Sequence, residues 1–166
     1  VRIKVEGDEI DLASTRSEFY AKNGHLPVVC ELGWELKNDD QRRDFTINAI
    51  AYNDEKGIVD PYHGCEDLKL GTIRCVGEPE KRFREDALRI IRALRFASVY
   101  SFRIDSSTAQ AILDNRNLLN NVSAERIAYE LNRLVCGDGA EEILNDFRSV
   151  FAVFMPEIEQ TFDYEQ

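Results

Sequence analysis

The hydrophobic period of this chain changes once, across Gly77-Glu78-Pro79. Before that point apolar residues alternate in short runs; after it they recur at spacings of three and four. A period of two suits a strand with one covered face, and a period near 3.6 suits a helix with an apolar stripe. The chain must therefore build a strand-bearing part that leads directly into a helical part, an α+β arrangement. Its 166 residues suffice for one ordinary domain, or one and a portion of another.

In the first part, Val1–Val5 and Ile10–Ala13 alternate around Gly7-Asp8, the expected hairpin turn. Residues 17–37 have no clean period and contain Gly24, Pro27 and Gly33, so they read as one long, partly ordered loop. Asn38 and Asp39 are placed to cap a short helix ending about Asp44. Ile47–Asn53 and Gly57–Asp60 read as strands, followed by a helical turn around Glu66–Leu70 and a further strand at Thr72–Val76. In the second part a helix of about twenty residues is expected from Glu80. Three more follow: from Ser106 or Ser107 to about Asn115, from near Ser123 to about Val135, and from Ala140 to Phe154.

The long helix carries an unusual charge pattern within REDALRIIRALRF, residues 84–96. Ala87, Ile90, Ile91 and Leu94 fall within about a 100° sector, enough to dock it. Asp86, Arg89, Arg92 and Arg95 recur every three residues and wind as a slanted ridge over the opposite side. One reading is a solvated face, on which an Asp86–Arg89 pair contributes only ~0.2–0.5 kcal/mol. Hydrogen-bond types offer another. A carboxylate only accepts and a guanidinium only donates, so the two together match a base edge with an amine beside a ring nitrogen. Cytosine and adenine show that edge. Uracil and guanine would set acceptor against acceptor and donor against donor, at about 1–3 kcal/mol per mismatched buried group. Arg92 and Arg95 would then face phosphates, which suit forked donors.

Charge distribution bears on the same question. The net charge of −10 argues against indiscriminate nucleic-acid binding. Residues 69–103, however, hold nine Lys/Arg against four acids, a basic island between two acidic flanks. Cys30, Cys65, Cys75 and Cys136 show no CxxC pair, which reads as reduced thiols in a cytoplasmic protein. No run approaches the ~20 apolar residues of a membrane span, and no signal peptide opens the chain. VRIKVEG is a strand pattern with nothing before it, so the chain is expected to begin inside a fold.

RRDFTINA (42–49) and EDALRIIRALRFA (85–97) together resemble the signature segments of the CCA-adding tRNA nucleotidyltransferases and their poly(A) polymerase relatives. IDLASTR (10–16), DPYHGCEDLKLGTIRCVGEPEKRF (60–83) and VSAERIAYEL (122–131) fit in the same order. The resemblance implies a partial nucleotidyltransferase head, a small sheet with helices, over residues 1–77. An all-helical neck over 78–155 and a tail at 156–166 would follow. It implies that Asp86 and Arg89 select the base, with Arg92 and Arg95 at nucleotide-binding positions. Arg43 maps onto a nucleotide-binding arginine, and Arg42, Asp44 and Asn48 onto groups that organise ribose and triphosphate. Asp11 matches the family's third carboxylate near the metals, expected to be Mg2+. The implied partners are a tRNA 3′ end, ATP and CTP, with no membrane; the oligomeric state stays open. His25 and His63 lack partner motifs and read as structural or solvent-facing. The family's glycine-rich GGxVRD stretch and DxD aspartates are not in this sequence, so the chain by itself is expected to be inactive. Enzymes adding only CC or only A, a poly(A) polymerase, and a noncatalytic nucleotide- or RNA-binding module are the alternatives.

Overall fold

The computed structural model describes residues 2–5, 8–11, 16–19, 28–32 and 43–159. The expected α+β order is observed. Strands β1 (Arg2–Val5) and β2 (Asp8–Asp11) pair antiparallel with Val5 opposite Asp8, which puts the connection at residues 6–7 rather than 7–8. Strands β3 (Arg16–Phe19) and β4 (Val28–Leu32) also pair antiparallel, with an irregular register between Ser17 and Glu18. The segment 17–37 is thus not simply a loop: backbone pairing gives it a hairpin that its weak side-chain period does not announce. The helix expected before Asp44 lies outside the described residues.

From Arg43 onward the chain is described continuously to Glu159. Thr46–Asn48 forms a single 3-10 turn, so the strand expected from Ile47 begins only at β5 (Ala51–Asn53), paired with β6 (Gly57–Val59). Helix α1 (Gly64–Leu70) follows, and Gly71 closes it in the left-handed region at φ 60°. Strand β7 is only Thr72–Ile73 and runs parallel to a strand not anticipated, β8 (Arg103–Ile104). Its two residues are too few to show a period.

Gly64 packs directly against the Thr46 carbonyl, and a Cβ there would also lie 2.9 Å from Ile50 Cγ1. An ordinary helical Gly→Ala exchange stabilises by up to ~1 kcal/mol. Gly64→Ala is expected to do the reverse, costing about 1–3 kcal/mol in urea denaturation, because backbone must shift to admit the methyl.

The helix expected to run some twenty residues from Glu80 is instead two: α2 (Pro79–Glu85) and α3 (Leu88–Tyr100). Asp86 between them is extended, at φ −146° and ψ 105°. The break is local chemistry. An Asp Oδ1 accepts the Leu88 N–H at 3.1 Å, while the Asp86 carbonyl accepts from Arg89 N at 3.1 Å. Short polar side chains compete in this way with the helical ladder. Asp105, not Ser106 or Ser107, caps α4 (Ser106–Asn115), its side chain accepting from the Ser107 and Thr108 amides. Helix α5 (Ala124–Leu134) is as expected. The helix expected over Ala140–Phe154 divides at the buried Phe147 into α6 (Ala140–Asp146) and α7 (Arg148–Phe151).

The core runs along α3. Ala87, Ile90, Ile91 and Leu94, the predicted apolar sector, are fully buried with Phe83, Leu134, Val150 and Phe151. Phe45, Ile73 and Cys75 join the same cluster, so packing is continuous across Gly77. Burial pushes the Cys75 thiol up to about 12, leaving it an inert apolar filler. Among the described residues no helix is long and apolar enough to cross a membrane.

Candidate nucleotide site

The charged ridge is neither wet nor continuous. Arg89 and Arg95 are 7% and 8% exposed, which excludes a solvated face for them. With Asp86 outside both helices, the constant spacing in sequence becomes a junction carboxylate followed by three guanidiniums on α3. Each guanidinium meets a carboxylate. Arg89 Nη1 donates to Glu85 Oε2 at 2.9 Å and to the Arg82 carbonyl at 3.1 Å, and Arg82 Nη2 reaches Glu85 Oε1 at 2.6 Å. Arg92 forms a two-pronged pair with Asp44, Nε at 2.8 Å and Nη2 at 2.6 Å from Oδ2. Arg95 Nε lies 3.1 Å from Glu130 Oε2, and Arg92 Nη1 lies 3.6 Å from Oε1 of the same residue. The Arg95–Glu130 approach is out of line with the N–H, so it is a Coulombic contact rather than a directed hydrogen bond. The Arg95 guanidinium also lies over the Phe96 ring at 4.0 Å.

Asp44 joins the two halves of the chain. Its Oδ1 accepts from Phe45 N at 2.9 Å and from Asn48 Nδ2 at 3.0 Å, while Oδ2 holds Arg92, 48 positions later. Burial alone would raise its pKa, but the Arg92 guanidinium and these hydrogen bonds outweigh burial and hold the carboxyl below its usual range. Burial likewise opposes the charge on Arg92, and Asp44 more than restores it. For Arg95 burial wins over Glu130, and its pKa is lowered.

Asp86 is held on both oxygens: Oδ1 by the Leu88 amide and Oδ2 by Arg126 Nη2 at 3.0 Å, from the first turn of α5. The arginines of the island that pack into the fold are therefore not free charge. Asp44, Asp67, Asp105 and Glu130, all from the acidic flanks, supply counterions to Arg92, Arg74 and Arg95.

The structure gathers Asp44, Asn48, Arg92 and Arg95 into one network, and sets Asp86 and Arg89 at the α2–α3 junction beside it. Arg43 is exposed, at the start of the continuous stretch. Asp11 ends β2 opposite Arg2, and Arg42 lies outside the described residues. His63 is exposed at the start of α1, while His25 lies outside the described residues. Among the described residues no cluster of three or more His, Cys, Asp or Glu suits a metal ion, so they do not by themselves compose the site expected for Mg2+.

Sequence reasoning missed Glu85, Arg126 and Glu130. Glu130 did carry a signal: it sits on the buried stripe of α5 with Ile127 and Leu134, where a carboxylate needs a cation.

Comparison with known proteins bears on what this arrangement belongs to. The family described as poly A polymerase head domain matches residues 1–74, and that described as probable RNA and SrmB-binding site of polymerase A matches 101–161. The CCA-adding enzyme of Lactobacillus helveticus is 41% identical over 89% of this chain, which spans 37% of that relative's length. A crystal structure of the Bacillus stearothermophilus CCA-adding enzyme in complex with CTP is 45% identical, with a TM-score of 0.65 over 71% of this chain and 29% of its own. The Thermotoga maritima CCA-adding enzyme complexed with tRNA is 29% identical, with a TM-score of 0.66 over 74% of this chain and 31% of its own. The chain thus spans a little over a third of the curated relative's length. With both halves matched in order, the head-domain match before Gly77 and the helical match after it, the chain belongs to the family of CCA-adding enzymes and poly(A) polymerases.

Proposed function

We propose that this chain is the base-selecting portion of a tRNA nucleotidyltransferase of the CCA-adding type. Residues 1–77 would be part of its head, 78–155 its neck and 156–166 the start of a tail. In the whole protein the terminal ribose hydroxyl of tRNA attacks the α-phosphate of CTP or ATP, and pyrophosphate leaves. This chain would choose the base without a nucleic-acid template. The observation that carries the reading is the α2–α3 junction: an acceptor-only carboxylate at Asp86 precedes a donor-only guanidinium at Arg89, both largely screened from water. Arg43, with Arg42, Asp44 and Asn48, would organise ribose and triphosphate. Arg92 remains 31% exposed beside Asp44, enough to meet a further anionic oxygen, and Arg95 would stiffen it through Glu130. CTP and tRNA complexes of relatives support this choice of partners. Mg2+ and the role of Asp11 remain part of the proposal, as does a cytoplasmic location.

Calorimetric titration of the chain with the four ribonucleoside triphosphates tests it. CTP and ATP are expected to bind about tenfold or more tightly than UTP and GTP, and Asp86→Ala is expected to erase the difference. Equal affinities for all four, or a preference that survives Asp86→Ala, would defeat the reading. Both family descriptions name poly(A) polymerase, which favours a second reading: an enzyme that takes ATP alone. Preference for ATP over CTP, with long adenosine tracts added to any RNA end by the whole protein, would select it.

A further inference from the structure

We infer that Arg126 is a positioning residue for base selection, holding the Asp86 carboxylate in the orientation that reads the base. The inference rests on the base-selecting role proposed for Asp86. The backbone of that residue is held on both sides, its amide donating to the Arg82 carbonyl at 3.3 Å and its carbonyl accepting from Arg89 N at 3.1 Å, but neither bond reaches the carboxylate. A carboxylate on such a joint turns freely, since its terminal torsion is broad and two-fold. Two bonds restrain it. The Leu88 amide reaches Oδ1 at 3.1 Å from two residues away, and moves with the joint. Arg126 Nη2 reaches Oδ2 at 3.0 Å from a different helix, 40 positions along the chain.

Helix α5 is a firm base for that hold. Ile127 and Leu134 pack into the core, Glu130 meets Arg95, and Ser98 Oγ on α3 donates to the Leu134 carbonyl at 2.6 Å. Arg126 thus fixes the carboxylate relative to α3, the helix that carries Arg89. Each Asp86 oxygen keeps a second lone pair, so the anchored group can still accept from a base amine. Arg126 is itself donor-only and cannot present the acceptor that cytosine or adenine requires. Its side chain is 27% exposed and that of Asp86 16%, so the pair is mostly covered, with an edge left open to solvent. Losing such a pair costs some stability, but a merely structural role would leave the ratio of nucleotide affinities unmoved.

The test compares the chain with its Arg126→Met, Arg126→Lys, Arg126→Gln and Asp86→Ala variants by calorimetry with CTP, ATP, UTP and GTP. Thermal melts run alongside. Arg126→Met is expected to stay folded, melting below the wild-type chain, while its preference for CTP and ATP falls about tenfold. Arg126→Lys should recover part of the preference, because one donor is restored without the fork. Affinity for the triphosphate common to all four should change less than the ratio. If Arg126→Met keeps the wild-type ratio while Asp86→Ala loses it, the positioning role is overturned and base reading stands. The same holds if Arg126→Met weakens all four nucleotides equally, which would mark a phosphate contact. If Asp86→Ala keeps the ratio, or the wild-type chain binds all four alike or none, base reading fails and this inference with it. Should Arg126→Met not fold, Arg126→Gln takes its place, and an unchanged ratio there overturns the inference.

Discussion

Replacing Asp44 by alanine is expected to lower the unfolding free energy by about 2–4 kcal/mol at neutral pH. The lost carboxylate leaves the largely covered Arg92 guanidinium without its two-pronged partner, and the Phe45 amide and Asn48 side chain without their acceptor. Breaking one side of a buried pair usually costs about 3–5 kcal/mol. The 31% exposure of Arg92 lets water take back part of that. Urea denaturation with an unchanged m-value would measure the loss, and the melting midpoint should drop by roughly 5–15 °C for a chain of this size.

The same substitution has a pH signature. The folded-state pKa of Asp44 lies below its ordinary value of 3.8, so the folded form binds fewer protons than the unfolded one near that pH. Its contribution is therefore complete above about pH 4 and is lost as pH falls through the lower, folded value. Asp60 and Asp105 are also held low, against burial, chiefly by hydrogen bonds to backbone amides and to Ser107, and add to the acid sensitivity of the native chain. The difference between wild-type and Asp44→Asn stability curves isolates Asp44. That difference should be flat above about pH 5 and shrink below pH 4. A constant difference down to pH 2 would show that the pair with Arg92 does not form.

Glu130→Ala is the second large effect, about 3–5 kcal/mol destabilising. Glu130 is 3% exposed and faces both Arg92 and Arg95, so its removal leaves two guanidiniums near one another with less countercharge. Burial already disfavours the charge of Arg95. Pairing Glu130→Leu with Arg95→Leu should recover much of the loss, since the uncompensated charge goes and apolar volume takes its place. Equilibrium denaturation of the single and double variants gives the coupling. Additive losses would mean that the 3.1 Å contact carries no net interaction.

How much of this was legible from residues alone can be judged at particular places. The turn from strands to helices at Gly77 follows from hydrophobic period, because period records which face is covered. The apolar sector at Ala87, Ile90, Ile91 and Leu94 is fully buried for the same reason. The break at Asp86 was not visible, because the pattern on either side suits one helix and the side-chain bond to Leu88 competes only once the chain is built. Strand β8 escaped notice because two residues show no period, and its partner β7 lies 31 positions earlier.

The site divides in the same way. Residue type determines that Asp86 accepts, that Arg89, Arg92 and Arg95 donate, and that such groups suit an adenine or cytosine edge, since hydrogen-bond polarity belongs to the side chain wherever it sits. Which charge meets which was decided only by the tertiary structure. Asp44 finds Arg92, Glu130 finds Arg95 and Arg126 finds Asp86 across 48, 35 and 40 positions of chain. Coulomb energy depends on distance and burial, and neither exists before the helices pack.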